Sequence, residues 1–262
     1  IRNDNMLKET TLYGKYDKVE IAIERLKMFV PGEGYYGAFS GGKDSVAIKE
    51  LVTMAGIQCD WHYNWTTVDP PEVLRFIKKY HPDVEIHQPI LTMWQLIVKK
   101  RMPPTRLVRY CCEHLKERGG AGRHVLTGIR GQESFKRSKR QMVEHCFKDE
   151  SKIYVNPILD WSENDVWEFI HKYHLLYCSL YDEGFTRIGC IMCPMNSRRM
   201  EKDAKRWPKY YQAYVRAFQR CIDKRIEDGL ATNWQTGQEM MDWWTEQGKH
   251  IKQDPDQTIM FE

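Results

Sequence analysis

The sequence predicts an α/β protein built on a doubly wound, mainly parallel sheet of five strands, with a helical appendage at its C-terminal end. Three observations carry this prediction. Short runs rich in aromatic and β-branched residues alternate with amphipathic segments, which is typical of parallel strands joined by helices. A glycine-rich turn joins the first of these strands to a helix. From Glu201 onward the pattern is helical throughout.

The composition is that of a globular protein of moderate size. The chain has 262 residues, 42% of them hydrophobic, which suffices for one large domain or a domain with an appendage. We expect residues 1–200 to form the α/β domain and residues 201–262 to form a helical extension packed on it. The net charge of +4 suits anionic ligands but is too small to indicate nucleic-acid binding by itself. No apolar run approaches a membrane span, and Ile1–Asp4 does not resemble a signal peptide, so we expect a cytoplasmic protein without membrane contact.

The elements follow in the order of an open α/β sheet. The predicted strands are 35–39, 57–67, 84–90, 124–130 and 153–158. A helix over 17–29 precedes the first strand, and a helix opening at Asp44 follows it. Two prolines begin the helix after the second strand, and a helix over 92–100 follows the third. Ser162 with Asp165 marks the start of the helix after the fifth strand.

Two further stretches carry a recognisable pattern. Residues 135–140 are strongly basic and lack an apolar period, so we expect a mobile loop. This loop is a solvated charge run, a lid over a phosphate or sulfate, or a nucleic-acid contact. In the C-terminal region, aromatic residues recur at helical spacing and predict a packing surface. They are Trp207, Tyr211, Tyr214 and Phe218.

The glycine-rich turn after the first strand predicts an anion site. Exposed amides at the helix start, the helix dipole and the ammonium group of Lys43 together attract an anion. Gly41 and Gly42 let the backbone turn sharply and approach the ligand. The spacing from Gly37 to Lys43 nearly matches a kinase-type phosphate loop, but Asp44 stands where that loop has the Ser or Thr that holds Mg²⁺. Beyond the second strand, Thr66, Thr67 and Asp69 are expected to face the same ligand, although Asp69 is equally placed to cap the next helix.

The cysteines predict metal or redox chemistry. Four of the eight form two pairs, Cys111-Cys112 and Cys190-x-x-Cys193. Two pairs far apart in sequence fit a four-thiolate site for an iron–sulfur cluster or zinc, and four buried apolar thiols are the alternative. A zinc ribbon uses two C-x-x-C knuckles, which adjacent cysteines cannot form, so the cluster is favoured over zinc. The remaining cysteines show no partner spacing; they are Cys59, Cys146, Cys178 and Cys221.

Taken in order, these motifs resemble the phosphoadenosine/adenosine phosphosulfate reductase family, part of the ATP pyrophosphatase (PP-loop) superfamily. The resemblance covers roughly residues 35–194 and implies the adenine nucleotide alpha-hydrolase-like fold. The matching segments are Ser40–Ser45, Cys111-Cys112, Thr127–Arg130 with Glu133-Ser134, Asn156–Ile158 with Trp161 and Asp165–Trp167, and Gly189–Cys193.

The resemblance also implies a set of site residues. The nucleotide would be held by Ser40, Gly41, Gly42, Lys43, Asp44, Ser45, Thr67, Asp69, Gly128, Arg130 and Glu133. Among these, Lys43 and Arg130 would stabilise the charge of the sulfate and phosphate groups. A [4Fe–4S] cluster near the sulfate would be held by Cys111, Cys112, Cys190 and Cys193, with zinc as the less favoured occupant. In the family these cysteines mark the adenosine 5′-phosphosulfate branch, so that nucleotide is favoured over its 3′-phosphorylated form.

The implied activity is reduction of the sulfonucleotide to sulfite and AMP, with a thiol reductant such as thioredoxin. Family reductases use a cysteine in a C-terminal Glu-Cys-Gly motif, and Asp254–Glu262 contains no cysteine, so the resemblance assigns no nucleophile and leaves the reductive step open. One alternative is an ATP-using, Mg²⁺-dependent sulfur transferase that adenylates and thiolates a nucleic acid or another substrate, which the basic segment Lys136–Arg140 favours. A second alternative is a nucleotide-binding subunit without turnover. The oligomeric state is left open, with a homo-oligomer included.

Overall fold

The computed structural model describes residues 7–11 and 14–246. The strands are β1 (Lys8–Thr11), β2 (Gly14–Asp17), β3 (Tyr35–Ala38), β4 (Cys59–Asn64), β5 (Glu85–His87), β6 (His124–Leu126), β7 (Val143–Cys146) and β8 (Asp149–Val155). The helices are α1 (Lys18–Met28), α2 (Lys43–Ala55), α3 (Pro71–Tyr80), α4 (Met93–Lys100), α5 (Tyr110–Leu115), α6 (Phe135–Ser138), α7 (Glu163–Lys172), α8 (Met200–Arg206), α9 (Pro208–Glu227) and α10 (Gly237–Glu246). Short 3₁₀ segments span Gly131–Glu133, Ser179–Tyr181 and Pro194–Arg199.

The chain folds into two compact units, each assembled from separated stretches. The first comprises the described residues up to Tyr63 together with Pro71–Ile86 and Gly119–Ile188. The second comprises Asn64–Pro70, His87–Arg118 and the described residues from Gly189 onward. Neither unit coincides with the expected segments 1–200 and 201–262, and that domain division stays a prediction.

The main sheet has the strand order β5-β4-β3-β6-β8-β7. β3 pairs in parallel with β4 and β6, and β6 pairs in parallel with β8. This confirms the predicted mainly parallel α/β class, and each of the five predicted strands is present. The predicted strand number was wrong, because β7 adds an antiparallel edge strand beside β8. The four residues of β7, Val-Glu-His-Cys, are too short and polar to show a strand period, so its pairing with β8 defines it.

Local signals explain the helices around the sheet. Asp17 caps α1 by accepting from the amides of Val19 and Glu20. α2 begins after Gly42 and ends at Gly56, whose φ of +66° closes the helix in the left-handed conformation. Ser162 caps α7, and the two residues Ser162 and Asp165 form a reciprocal capping box. The basic segment expected to be a loop contains the short helix α6, which Ser134 caps.

In the second unit, helices α4, α9 and α10 pack together around aromatic side chains. The Tyr214 ring lies 5.0 Å from Trp244 and 4.8 Å from Trp94, measured between centroids. Phe218 packs edge-on against Trp244 at 5.3 Å. Trp207, Tyr214 and Phe218 are buried, which confirms that this part of the stripe is a packing surface. No helix within the described residues has the length and apolar character that a bilayer-spanning segment requires.

Candidate functional site

The strand order places a crevice between β3 and β6. From β3 the chain continues to β4 on one side, whereas β6 and β8 lie on the other side, so the order reverses at the β3–β6 boundary. Ligands of open α/β sheets bind beyond the strand ends at such a reversal, where the two connections diverge. The loop Ser40–Gly42 follows β3 and the segment Gly128–Arg130 follows β6. Both predicted phosphate-binding segments therefore belong to this edge of the first unit.

The loop after β3 is held in one shape by its glycines and serines. Gly41 has φ +72°, and a Cβ there would lie 2.8 Å from Cγ1 of Val73, so a side chain is excluded on both counts. The Gly42 amide approaches the Ser40 hydroxyl at 3.4 Å. The Ser45 hydroxyl donates to the Gly42 carbonyl at 2.8 Å. These contacts define the turn into α2 without using a charged group.

Arg130 lies against the start of α2. Its side chain is buried, and its Nε donates to Oδ1 of Asp44 at 2.6 Å. Gly128 makes this approach possible, because a Cβ there would lie 3.0 Å from the Cβ of Asp44. Glu133 accepts from the Arg130 amide at 3.3 Å and also pairs with Arg137. Asp44, which replaces the hydroxyl residue of a kinase-type loop, thus acts as the partner of a buried arginine.

Lys43 is more enclosed than the sequence predicts. The analysis above expects exposed amides and an exposed ammonium group, but the Lys43 residue is only 3% exposed. Its Nζ donates to the Thr186 carbonyl at 2.9 Å and lies 3.3 Å from the Glu163 carboxylate. Its backbone amide donates to the Tyr181 hydroxyl at 2.9 Å. The sequence contains no local signal for these contacts, because the partners are more than a hundred residues away.

A cavity nevertheless reaches Lys43. It has a volume of about 450 Å³ and lies within the first unit. Its charged lining residues are Lys43, Arg130, Glu133, Glu163 and Arg187. The lining combines three cations with two carboxylates, so an anion that enters it meets positive charge from Lys43 and Arg130 beside fixed negative groups.

Thr67 and Asp69 belong to the second unit, where both have structural contacts. Thr67 adopts φ +66°, which is strained for a β-branched residue, and its hydroxyl accepts from the Met93 amide at 3.0 Å. Asp69 Oδ2 accepts from the Thr66 amide at 2.8 Å. Asp69 Oδ1 lies 3.8 Å from the Cys190 sulfur. Their role in nucleotide binding stays a prediction.

The second unit contains both cysteine pairs. Cys111 and Cys112 lie in the first turn of α5, and Cys190 and Cys193 flank a tight turn before the Pro194–Arg199 segment. The Cys190 sulfur lies 3.6 Å from the Thr66 hydroxyl. All four cysteines are partly exposed and none forms a disulfide. The charges of Cys190 and Cys193 contribute to raising the pKa of Cys111, so the two pairs are close enough to interact.

Cationic side chains favour negative charge at these sulfurs. A hydrogen bond from Cys111, followed by the charge of Arg109, lowers the pKa of Cys112 to about 5. The Arg109 guanidinium donates to the Cys112 sulfur at 3.4 Å. The hydrogen bond to Cys112 raises the pKa of Cys111 above its ordinary value. Desolvation raises the pKa of Cys190 to about 12, and the Cys190 charge in turn raises the pKa of Lys116.

The turn that carries Cys190 and Cys193 is anchored from three sides. The Met192 residue has φ +57°, and its amide donates to Oδ2 of Asp203 at 2.8 Å. Ile191 donates to the Val68 carbonyl at 2.8 Å and accepts from the Tyr214 hydroxyl at 3.2 Å. Ile191 and Met192 are fully buried, so their backbone presents the flanking sulfurs from a rigid support. Sequence reasoning missed Asp203 and Tyr214, whereas Arg109 and Lys116 could have been noticed beside the cysteine pair.

The donor set fits a thiolate-bound inorganic centre. Four free thiols share one unit, and two nearby cations, Arg109 and Lys116, offset the negative charge that thiolate ligands bring. Four buried apolar thiols, the alternative considered above, would be fully enclosed and would not have charged partners. The partial exposure and the charged neighbours therefore favour ligation over packing.

Comparison with known proteins gives one family. Residues 35–196 match the model of the phosphoadenosine phosphosulfate reductase domain. An uncharacterized protein of Methanocaldococcus jannaschii is 34% identical over 167 residues, which is 60% of this chain and 40% of that protein. An adenosine 5′-phosphosulfate reductase of Oceanobacillus iheyensis is 29% identical over 193 residues, or 65% of this chain and 75% of that enzyme.

One solved structure is also similar. The phosphoadenylyl-sulfate reductase of Candida auris, in a phosphate complex, has 18% sequence identity and a TM-score of 0.49. The similarity covers 64% of this chain and 87% of that chain. By contrast, this chain spans only about two fifths of the length of the M. jannaschii relative.

Proposed function

The chain belongs to the phosphoadenosine phosphosulfate reductase domain family, and on this basis we propose that it binds an adenine sulfonucleotide and reduces its sulfate group to sulfite. The observation that carries the proposal is the pairing of the Ser40–Ser45 loop with Arg130 at the β3–β6 crevice. Adenosine 5′-phosphosulfate is the favoured substrate, because the chain has the four cysteines that the sequence resemblance associates with it. Relatives named adenosine 5′-phosphosulfate reductase support the same choice.

In this proposal the first unit holds the anionic part of the nucleotide. Gly41, Gly42 and the start of α2 provide backbone amides, with Ser40 and Ser45 shaping the turn. Arg130 and Lys43 supply the two cations that neutralise phosphate and sulfate oxygens. The remaining proposed nucleotide contacts are Asp44, Gly128 and Glu133, which position Arg130, together with Thr67 and Asp69.

The reduction requires two electrons, which two thiols supply. The first thiol sulfur forms a bond to the sulfate sulfur while the anhydride bond to the AMP phosphate breaks, and AMP leaves with the bonding electrons. The second thiol then forms a disulfide with the first sulfur and releases sulfite, and the two thiol protons pass to AMP, sulfite or solvent. A reductant of the thioredoxin class is the proposed source of electrons. The attacking thiol is not assigned to a residue of this chain, and the positions after 246 lie outside the described residues.

The proposed cofactor is a [4Fe–4S] cluster in the second unit, with zinc as the alternative occupant. Cys111, Cys112, Cys190 and Cys193 would hold it, and Arg109 would donate a hydrogen bond to the Cys112 ligand. Such a cluster supplies an electropositive and redox-capable centre when bound. The Asp203 carboxylate keeps the Cys190–Cys193 turn in place through the Met192 amide. The chain's own contribution is to orient four sulfurs and to balance their charge.

The alternative of an ATP-using sulfur transferase becomes an outcome of the test. The basic segment that favoured it has partners in the first unit, since Arg137 pairs with Glu133 and Arg140 pairs with Glu144. Lys139 lies over the Phe135 ring at 4.3 Å. These contacts leave less charge for a nucleic acid than the sequence alone indicates. Reduction of a sulfonucleotide is therefore the function we favour.

The test uses the whole chain, purified anaerobically, with adenosine phosphosulfate, its 3′-phosphorylated form or ATP. We expect sulfite release from adenosine phosphosulfate in the presence of dithiothreitol or thioredoxin. Lys43→Ala should bind the nucleotide at least tenfold more weakly, because a charge-assisted hydrogen bond contributes about 1.5–3 kcal/mol. Lys27→Ala, at an exposed position of α1, is the matched control and should bind normally.

Three other outcomes would contradict the proposal in different ways. Pyrophosphate release from ATP without sulfite formation would indicate the sulfur transferase. Nucleotide binding without any product would indicate a binding subunit. Equal nucleotide affinity in the wild-type protein and Lys43→Ala would show that the loop is not the nucleotide site.

A further inference from the structure

The start of α2 is covered by a segment of the same unit. The Tyr181 hydroxyl accepts a hydrogen bond from the Lys43 amide, and the Thr186 carbonyl accepts one from Lys43 Nζ. A Cβ on Gly42 would lie 3.4 Å from the same hydroxyl, so the Tyr181 oxygen stands directly over the glycine turn. The two strongest donors of the loop, an N-terminal helix amide and an ammonium group, are therefore occupied by neutral oxygens.

A neutral oxygen is a weaker partner for these donors than an anion. Burial raises the pKa of Tyr181 above its ordinary value, so the hydroxyl stays protonated at neutral pH. A phosphate or sulfate oxygen carries charge and forms stronger hydrogen bonds with the same donors. The helix dipole adds to this preference at the first turn of α2. An anion can therefore replace the Tyr181 oxygen, provided that the segment moves.

Moving the segment is opposed by its packing. The Tyr181 ring stands edge-on to Trp167 at 5.1 Å between centroids. On either side of Tyr181, Leu180 and Phe185 are buried, and the Phe185 amide donates to the Leu180 carbonyl at 3.1 Å. The Lys43 ammonium also faces the Tyr181 ring at 5.2 Å. Displacement of the hydroxyl thus costs contacts that a ligand must replace.

We propose that Tyr181 is a specificity-determining residue of the anion site, whose hydroxyl occupies the position of a substrate oxygen until a nucleotide displaces it. This inference rests on the proposed function, because it assumes that the loop binds the anionic part of a nucleotide. Free phosphate, sulfate and pyrophosphate bind poorly, since their contacts barely exceed those of the hydroxyl they replace. A sulfonucleotide binds well, since its nucleoside contributes additional contacts. Tyr181 therefore keeps abundant inorganic anions from occupying the site.

The experiment compares inorganic pyrophosphate with adenosine phosphosulfate in three proteins by titration calorimetry. Tyr181→Phe removes the hydroxyl and keeps the ring, and it should bind pyrophosphate about threefold to tenfold more tightly than the wild-type protein, the equivalent of one hydrogen bond. Tyr177→Phe is the matched control: its ring also packs on Trp167, but its hydroxyl bonds to Asp182. Its pyrophosphate affinity should stay within twofold of wild type.

Unchanged or weaker pyrophosphate binding by Tyr181→Phe overturns the inference, because the hydroxyl would then be irrelevant or a ligand contact. If the wild-type protein binds no adenine nucleotide at all, the proposed function fails and the inference fails with it. Nucleotide binding without the gain in Tyr181→Phe overturns the inference alone. A second measurement does not depend on that variant. Adenosine phosphosulfate should change the fluorescence of the wild-type protein, the change should be lost in Trp167→Phe, and an identical signal in both overturns the displacement of Tyr181.

Discussion

The ion pair between Arg130 and Asp44 has a structural part and a ligand-binding part, and a double-mutant cycle separates them. The two residues are 86 positions apart, and the Arg130 Nε lies 2.6 Å from the Asp44 carboxylate. The Arg130 side chain is 4% exposed and the Asp44 side chain is 23% exposed. Arg130→Gln, Asp44→Asn and the double variant complete the cycle with the wild-type protein.

The magnitude follows from the burial of the two partners. Removal of one partner of a buried pair costs about 3–5 kcal/mol, because the other charge is left uncompensated. Asp44 is partly exposed and is hydrated when Arg130 is lost, so we expect Arg130→Gln to destabilise the fold by about 2–3 kcal/mol. Asp44→Asn should cost about 3 kcal/mol, since it leaves the more deeply buried guanidinium without its carboxylate. The double variant should be closer to wild type than the sum of the singles, with a coupling energy of about 2 kcal/mol.

Ligand binding should respond differently. If Arg130 also binds the anionic part of the nucleotide, its loss weakens binding by about 1.5–3 kcal/mol, roughly tenfold to a hundredfold, in the single and the double variant alike. Urea unfolding at pH 7 measures the stabilities, and titration calorimetry measures the nucleotide affinity. Additive stabilities would refute the ion pair as a stabilising unit. A double variant that regains both stability and nucleotide affinity would refute the ligand-binding part.

Two further predictions concern other parts of the molecule. Burial and then the charge of Lys49 lower the pKa of His81 to about 4; the unfolded chain therefore binds the extra proton first, and the stability present above pH 6.5 is lost as the pH falls towards 4. Between pH 7 and pH 4.5 the wild-type protein should lose about 2 kcal/mol more than His81→Gln in urea unfolding, and parallel losses would show that His81 does not titrate in this range. Cys193→Ser should abolish visible absorbance near ~400 nm in anaerobically prepared protein, whereas Cys146→Ser, in strand β7, should keep it. An unchanged spectrum in Cys193→Ser would exclude that sulfur as a ligand.

Much of the fold was predictable because its signals are local. The run Tyr35–Ala38 followed by two glycines predicts a strand and a turn from neighbouring residues alone, and both are present. Ser162 and Asp165 predict the start of α7 through a cap that spans a single turn. The strand β7 escaped prediction, because its polar residues acquire their extended conformation from pairing with β8. The short helix α6 escaped for a similar reason, since its cap Ser134 precedes a segment dominated by charge.

The candidate sites divide in the same way. The sequence by itself determined which residues carry the chemistry, namely the Ser40–Ser45 loop, Arg130 and the two cysteine pairs, because residue type and short spacing specify a glycine turn or a thiolate pair. Only the tertiary structure decided their partners: Asp44 for Arg130, Asp203 for the Met192 amide, and Tyr181 for the Lys43 amide. Most of these contacts join segments that are far apart in the chain, and each depends on how burial and hydrogen bonding are satisfied together. Lys43, expected to be exposed, is enclosed for this reason.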